Sequence, residues 1–483
     1  LTLTNGALLR IDGGTSLNGG GLAVSNRPGD LDHGLSAAGS VLIDNSRIEI
    51  TGLDNAGGTV GRDGVGTMTI QNGGTLEVID AGGSSYGFSI GQGTALSNAP
   101  GTGTVTVTGA GSQLRTVNLN IGRDTIGTGT LTVENGGSAV AIQGIRVGRD
   151  GGDGTLNINA GGLVSSGNGS GSIFLGSNTG VAGGNALMVM TGGTLNAGTG
   201  SLFVAHGEGT SSVADVSGGT INAPLISIGH GEQTNGNLTV NGATTAINIL
   251  GLRSTGDGAT LLVGRDGLGL LNLNNGRITL DSQVAPTGLS GGLVLGGSST
   301  ALTNDGAGTV NISGAGVMEL RTGVTQIGRQ GTGLLNITGG GTLDASLQET
   351  SVIGRLAGST GTVNVSGTGS TWSAGTRLFI GTDVDFNTNT ALGNGGTGLL
   401  NVANGGAVFA NDLINGATGT ITGGGGTITA NIQNSGTIGP GNSPGLMSVI
   451  GDVNLLAGGT LVLELGGIIV DTGYDRLDVA GTA

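Results

Sequence analysis

Triplets in which two apolar residues flank a polar one recur along the chain. They include Val105-Thr106-Val107, Leu131-Thr132-Val133, Leu156-Asn157-Ile158, Leu238-Thr239-Val240, Leu271-Asn272-Leu273, Val310-Asn311-Ile312, Leu335-Asn336-Ile337, Val363-Asn364-Val365 and Leu400-Asn401-Val402. Alternation with period two predicts strands that bury one face. Glycine pairs such as Gly73-Gly74, Gly136-Gly137, Gly161-Gly162 and Gly192-Gly193 follow. They predict corners where the backbone needs positive φ and a Cβ is costly. A second short strand comes next, as in Thr75-Leu76-Glu77-Val78 or Thr342-Leu343-Asp344. No stretch carries a convincing helical period.

A third strand ends in an apolar-Gly-Arg-Asp phrase, at Val60 to Asp63, Ile121 to Asp124, Val147 to Asp150 and Val263 to Asp266. Without the Asp it returns at Ile327-Gly328-Arg329 and Ile353-Gly354-Arg355, with weaker copies at Gly91, Gly176, Ala205, Gly229, Gly296 and Gly381. A repeat of about 24 to 35 residues lies in the range of solenoids. Three strands in so few residues predict an all-β fold, a right-handed parallel β-solenoid (β-helix) with roughly three short strands per coil. About 16 coils at the ordinary strand spacing amount to a rod of roughly 80 Å. Aliphatic columns fill the interior, and the Thr or Asn between them forms an outward ladder that hydrogen-bonds from coil to coil. Residues 1–410 form the repeat array, with Leu399 to Phe409 as its last regular coil. Residues 411–483 form a C-terminal solenoid segment of divergent repeats, a cap or a junction to a region downstream.

Composition narrows the function. The 16 basic residues are all Arg and face 31 acidic ones, a net charge of −15. Nucleic acid is therefore no partner, since phosphate binding needs a basic footprint. Cys is absent, which excludes disulfides and thiolate metal sites without fixing a compartment. No apolar run of about 18 residues is present to span a membrane as a helix. The chain opens on Leu1-Thr2-Leu3-Thr4, already strand-like, and is expected to be a processed or excised part of a longer precursor.

Beyond residue 410 the pattern changes to Gly423-Gly424-Gly425-Gly426, Ile438-Gly439-Pro440-Gly441-Asn442-Ser443-Pro444-Gly445, Gly451-Asp452, Leu461 to Leu465 and Tyr474 to Val479. With the Ile-Gly-Arg…Gly-Thr-Leu-Thr-Val repeats, the chain resembles the passenger regions of bacterial autotransporters and related exported repeat proteins. The resemblance covers the whole chain, and the Pro-Gly-Asn-Ser-Pro-Gly phrase is its most specific part. It implies export to the outer cell surface or the extracellular space of a bacterium, a β-solenoid, and a role in adhesion, aggregation or matrix building. The translocator barrel of an autotransporter is not in this sequence.

Candidate chemistry is sparse. Arg62, Arg123, Arg149, Arg265, Arg329 and Arg355 would stack as like charges, with Asp63, Asp124, Asp150 and Asp266 beside four of them. A structural ladder of guanidinium forks on carboxylates and carbonyls is the expected role; a stripe for anionic ligands rests on the same physics. His replaces the Arg in two consecutive copies, His206-Gly207-Glu208 and His230-Gly231-Glu232. Stacked, the four make a candidate transition-metal set, against the alternative of drift at a turn. The acidic turns Asp150 to Gly154 and Asp383-Val384-Asp385 are candidates for Ca²⁺ and otherwise solvated turns. Gly441 to Gly445 matches Gly-x-Ser-x-Gly only formally, because Pro444 denies the helix that an elbow needs. His33, His206 and His230 are the only histidines, too few for a confident triad. Phe174, Phe203, Phe379 and Phe409 stand in strand runs and are expected as core fillers. With a single Trp, Trp372, the chain is poor in platforms for carbohydrate.

The expected function is that of an exported structural protein, not an enzyme and without a resident cofactor. It would act as a surface or matrix fibre subunit or adhesin, self-associating head to tail into filaments through open strand edges. Its partners would be other copies, host or neighbouring-cell surfaces, or polysaccharide. The alternatives are a β-helix polysaccharide-degrading enzyme and a passenger with one binding site, at an insertion such as Leu250 to Ala259 or Asp383 to Gly395.

Overall fold

The computed structural model describes residues 1–12, 21–25, 38–52, 57–80, 87–93, 100–167, 171–177, 184–251, 258–282, 291–297, 306–441, 445–469 and 473–483. His33, Ser443 and most of the insertion at 250–259 lie outside the described residues. The chain divides into two compact units, one of Leu1–Ala223 with Gly231–Leu238, the other of Pro224–His230 with Thr239–Ala483. Each is a parallel β-solenoid with three strand ladders, and the described residues contain no helix.

In the first unit the apolar-polar-apolar strands Ala38–Asp44, Val65–Gln71, Gly101–Thr108, Gly127–Glu134 and Asp153–Ile158 stack in register. Val41, Met68, Val105, Leu131 and Leu156 thereby form one aliphatic column, each nearly or wholly buried. A second ladder joins Leu8–Asp12, Arg47–Gly52 and Thr75–Asp80 to the first half of Gln113–Arg123. The third runs from Gly21–Val24 through Gly57–Arg62 and Gly87–Gln92 to the second half of Gln113–Arg123, then to Ser138–Arg149, Ser172–Gly176 and Ser201–His206.

The second unit repeats the scheme. Its first ladder contains Leu268–Asp281, Ala307–Leu320, Thr332–Thr338, Thr360–Ser366 and Thr397–Ala403. Parallel pairing does not stop at Phe409 but passes to Gly419–Gly423, Thr437–Pro440 and Thr460–Leu461. The coils tighten there: Thr422 donates to the Gly439 carbonyl only 17 residues on.

The corner glycines adopt the expected conformation, with positive φ at Gly73, Gly136, Gly161 and Gly193. The Gly of the Gly-Arg-Asp phrase is held more tightly. Gly122 has φ of 67°, and a Cβ there would press on the Asp153 carbonyl of the next coil. The Asp after the Arg is also left-handed, at Asp63, Asp124 and Asp150, which Asp tolerates better than most residues.

Among the described residues one insertion leaves the coil. Thr382–Asp385 and Thr390–Asn394 form a two-stranded antiparallel hairpin. Val384 and Phe386 from it pack with Val352, Phe379 and Ile414. Those three stand in the alternate, outward column of Thr350–Ile353, Arg377–Ile380 and Ala407–Asn415, so the hairpin covers apolar residues outside the aliphatic interior.

Candidate functional site

The polar triplet positions form the expected ladder in the second unit. Asn311 donates to Asn272, Asn336 to Asn311 and Asn364 to Asn336, each at 2.8 Å, and Asn401 to Asn364 at 3.2 Å. Each inner amide gives one bond and receives one, so these half-buried side chains satisfy one another.

The Arg-Asp phrase builds a looser column. Arg62, Gln92, Arg123 and Arg149 are register partners, so a glutamine interrupts the row of like charges. Arg149 pairs closely with Asp150, 2.9 Å, whereas Arg62–Asp63, Arg123–Asp124 and Arg265–Asp266 stand at 3.9, 3.7 and 3.4 Å. Such lengths contribute charge balance but no short hydrogen bond. Arg355 instead meets Asp383 of the hairpin at 3.0 Å and Gln326 at 2.9 Å. Arg329 has no Asp after it; its Nε is buried without a hydrogen-bond partner. Burial, and then Arg355 alongside, holds its guanidinium below the ordinary arginine value.

A second ion-pair ladder joins residues outside the phrase. Arg10 donates to Glu49 at 2.7 and 2.9 Å. Arg47 spans Glu49 and Glu77 at 2.8 and 2.6 Å, and Arg115 closes on Glu77 at 2.6 Å. Arg10, Glu49, Glu77 and Arg115 share one register column. Sequence reasoning missed it, although Glu77 stands in the second strand Thr75-Leu76-Glu77-Val78; aligning that strand between copies would have placed Glu49 and Arg115 beside it.

The proposed His and Glu set is not assembled. His206 is buried, its Nδ1 donating to the Ser177 carbonyl at 2.9 Å. His230 Nδ1 pairs with Ser227 Oγ at 2.8 Å, and its Nε2 accepts from Arg265. A cation already occupies the lone pair that a metal would take. Glu208 is exposed and Glu232 half-buried. Among the described residues no three His, Cys, Asp or Glu side chains converge as a metal set. The acidic turns are engaged likewise: Asp153 accepts from Asn185, Asp383 from Arg355, and Asp385 from the Asn387 amide.

The aromatic residues divide: Phe203 and Phe379 are buried as expected, whereas Phe174 is only partly buried and Phe409 is exposed. Phe174 and Phe203 face outward, stacked with centroids 5.0 Å apart and planes 7° from parallel. His206 abuts both edge-on, and Arg146 lies 5.8 Å over the Phe174 ring. Phe379 is buried by the hairpin, outside the interior, and Phe409 is 42% exposed. All four occupy the polar slot between two aliphatic residues, and alternation turns that slot outward. Phe88 and Trp372 fill the interior columns instead.

No known protein family matches the chain. No curated protein matches it either. Among solved structures, the crystal structure of the TibC-catalyzed hyper-glycosylated TibA55-350 fragment aligns over 92% of this chain and 100% of that one, at 14% identity and a TM-score of 0.34. The parallel solenoid assigned here rests on the strand register, not on that likeness.

Proposed function

We propose that this chain is an exported structural β-solenoid of the bacterial cell surface or extracellular matrix, an adhesin or fibre subunit and not an enzyme. The observation that carries the reading is how its polar side chains are used. The Arg10 to Arg115 ion pairs and the Asn272 to Asn401 amides bond between coils. Chemically capable groups thus hold the coils together. A surface that repeats coil after coil attaches through many weak contacts, and multivalency turns these into firm adhesion. The test is to couple the purified chain to beads at rising density and present them to bacterial cells and to polysaccharide. Adhesion is expected to climb steeply with density. Release of new reducing ends from the polysaccharide would instead make the chain an enzyme.

Self-association is a second reading, favoured by one observation. Leu463, Leu465, Ile468 and Ile469 are 44%, 82%, 96% and 68% exposed, the kind of apolar surface that marks an interaction site. The occupant named by this reading is a second copy of the chain. Larger species in sedimentation that disappear with Leu465→Asp and Ile468→Asp together would support it; a parent chain that sediments as a monomer at every concentration would remove it.

A further inference from the structure

The first unit contains an open groove of about 280 Å³. Gly58, Thr59 and Ser89 contribute to its lining together with Arg62, Gln92 and Arg123. The small residues come from Gly57–Arg62 and Gly87–Gln92, with Thr59 and Ser89 register partners. Arg62, Gln92 and Arg123 form the parallel column three residues further along the strands. Two cationic residues therefore flank an amide at about 4.8 Å intervals, roughly 10 Å from a pair of hydroxyls. Among the described residues no carboxylate belongs to the lining. Asp63 and Asp124 stand 3.9 and 3.7 Å from Arg62 and Arg123 and balance their charge from behind, so it is the lining alone that turns positive groups toward a ligand.

Arg123 supplies an independent observation. Its side chain is 18% exposed, and its Nε is buried with no hydrogen-bond partner. The nearest carboxylates, Asp124 and Asp150, stand at 3.7 and 3.9 Å, too far for a hydrogen bond. Both are already engaged: Asp124 accepts from Gln92 at 3.1 Å, and Asp150 from Arg149 at 2.9 Å. A buried charged donor left unbonded is costly; the part of Arg123 that stays exposed borders the groove, and it is there that a carboxylate would meet the guanidinium.

We propose that this groove binds one hexuronate unit of an acidic polysaccharide. Arg123 and Arg62 take the sugar carboxylate, while Gln92, Thr59 and Ser89 meet ring hydroxyls. The volume falls just below the roughly 300 Å³ at which pockets for drug-sized ligands begin, which suits a single ring. The proposal deepens the adhesin reading and rests on it only for the biological source of the sugar.

The experiment is a titration of the full chain with glucuronate, glucose and acetate, followed by NMR. Glucuronate is expected to saturate, glucose not to bind, and acetate to compete only weakly. Arg123→Gln should weaken glucuronate by about tenfold or more, about 1.4 kcal/mol. Arg62→Gln, at a more exposed side chain, should weaken it in the same direction without risk to folding. Glucuronate that fails to saturate, or that binds both variants like the parent, overturns the proposal. So does acetate that competes as well as glucuronate, since the groove is then a bare carboxylate site. A chain that ignores glucuronate yet still adheres at high density sinks the groove alone. One that binds glucuronate and cleaves polyuronate sinks the non-enzymatic reading alone.

Discussion

The Phe386 ring lies against the guanidinium of Arg355, with Cζ 4.4 Å from the ring centroid. Arg355 also donates to Asp383 at 3.0 Å, so one side chain of the repeat holds both a charge and a ring of the hairpin. Asn389 secures the tip, accepting from Thr350 and Arg377. Arg355→Ala should loosen the hairpin by about 1 to 2 kcal/mol, the cation–π and partly buried ion-pair contributions together. Hydrogen exchange should then accelerate at 382–394 and stay unchanged at Leu400 and Val402. Equal acceleration at both would show that Arg355 stabilises the coil and not the hairpin.

The Asn ladder predicts an order of effects. Asn336 bonds to both Asn311 and Asn364, whereas Asn401 bonds within the ladder to Asn364 alone. Replacing Asn336 by Ala strands an acceptor on one neighbour and a donor on the other, and unmade bonds at a half-buried site cost about 1 to 3 kcal/mol. Asn401→Ala should cost about half as much. Urea unfolding of the two variants measures this, and equal losses would mean that the amides do not act as a ladder.

How much of this was legible in the sequence follows from which forces are periodic. Val105, Leu131 and Leu156 announced the strands because alternation and burial are one property, and the Asn ladder followed because its members share one slot. Phe203 and Phe379 are buried as their hydrophobicity suggested, but strand parity puts them on the side away from the aliphatic interior, where Phe409 stays exposed. What covers Phe379 is a hairpin 382–394 that no repeat encodes. The candidate set of His206, Glu208, His230 and Glu232 was read without the neighbours, Ser177 and Arg265, that bond to the two imidazoles. The groove beside Arg123 was invisible, since it arises from small residues of neighbouring coils, Gly58 and Thr59 in one and Ser89 in the next.

The phrase glycine separates two substitutions that look alike on paper. Gly122→Ala forces a side chain into positive φ and against the Asp153 carbonyl, and should cost more than the about 1 to 2 kcal/mol of left-handed strain alone. Ala205 already holds φ of 62° at the equivalent position. The register slips by one residue beside it, between Leu175 and Gly176, and that bulge accommodates the methyl. Ala205→Gly should therefore be near neutral, relief of strain offsetting the lost methyl and the freer unfolded chain. Melting temperatures of the pair decide; similar shifts would show that the phrase glycine has no special geometry.

Acid should weaken the fold in a defined direction. The Arg10 hydrogen bond, with Arg47 nearby, holds Glu49 below the ordinary glutamate value against the opposing pull of burial. Asn72 and Gln71 do the same for Asp44, and Thr482 for Asp452. A carboxylate that is more acidic when folded contributes stability above its unfolded pKa and loses it as pH falls through the folded one. Stability should be level above about pH 5 and decline below about pH 4. Glu49→Gln should flatten that decline. A variant whose acid profile matches the parent would show that Glu49 is not linked to folding.

Asp475 tests whether the divergent C-terminal coils are fastened by side chains where the repeat has lapsed. It is 7% exposed; Oδ1 accepts the Gly445 amide at 2.8 Å and Oδ2 the Glu464 amide at 3.0 Å. One carboxylate thus joins Gly445, the last residue of the Pro-Gly-Asn-Ser-Pro-Gly phrase, to the segment after Thr460–Leu461. Asp475→Ala leaves two amides without acceptors and should cost about 1 to 3 kcal/mol. Asp475→Asn keeps one acceptor oxygen and turns an NH₂ toward the other amide, so its loss should be intermediate or equal, never smaller than that of a surface change. Asp478→Ala is the control, because Asp478 is half-exposed and pairs with Arg476 two residues away; its effect should stay within about 0.5 kcal/mol. Hydrogen exchange at Gly445 and Glu464 is the direct measurement. If those amides remain protected in Asp475→Ala, the strand Arg476–Val479 and its parallel partner Leu446–Ile450 hold the segment by backbone pairing alone, and Asp475 adds nothing to it.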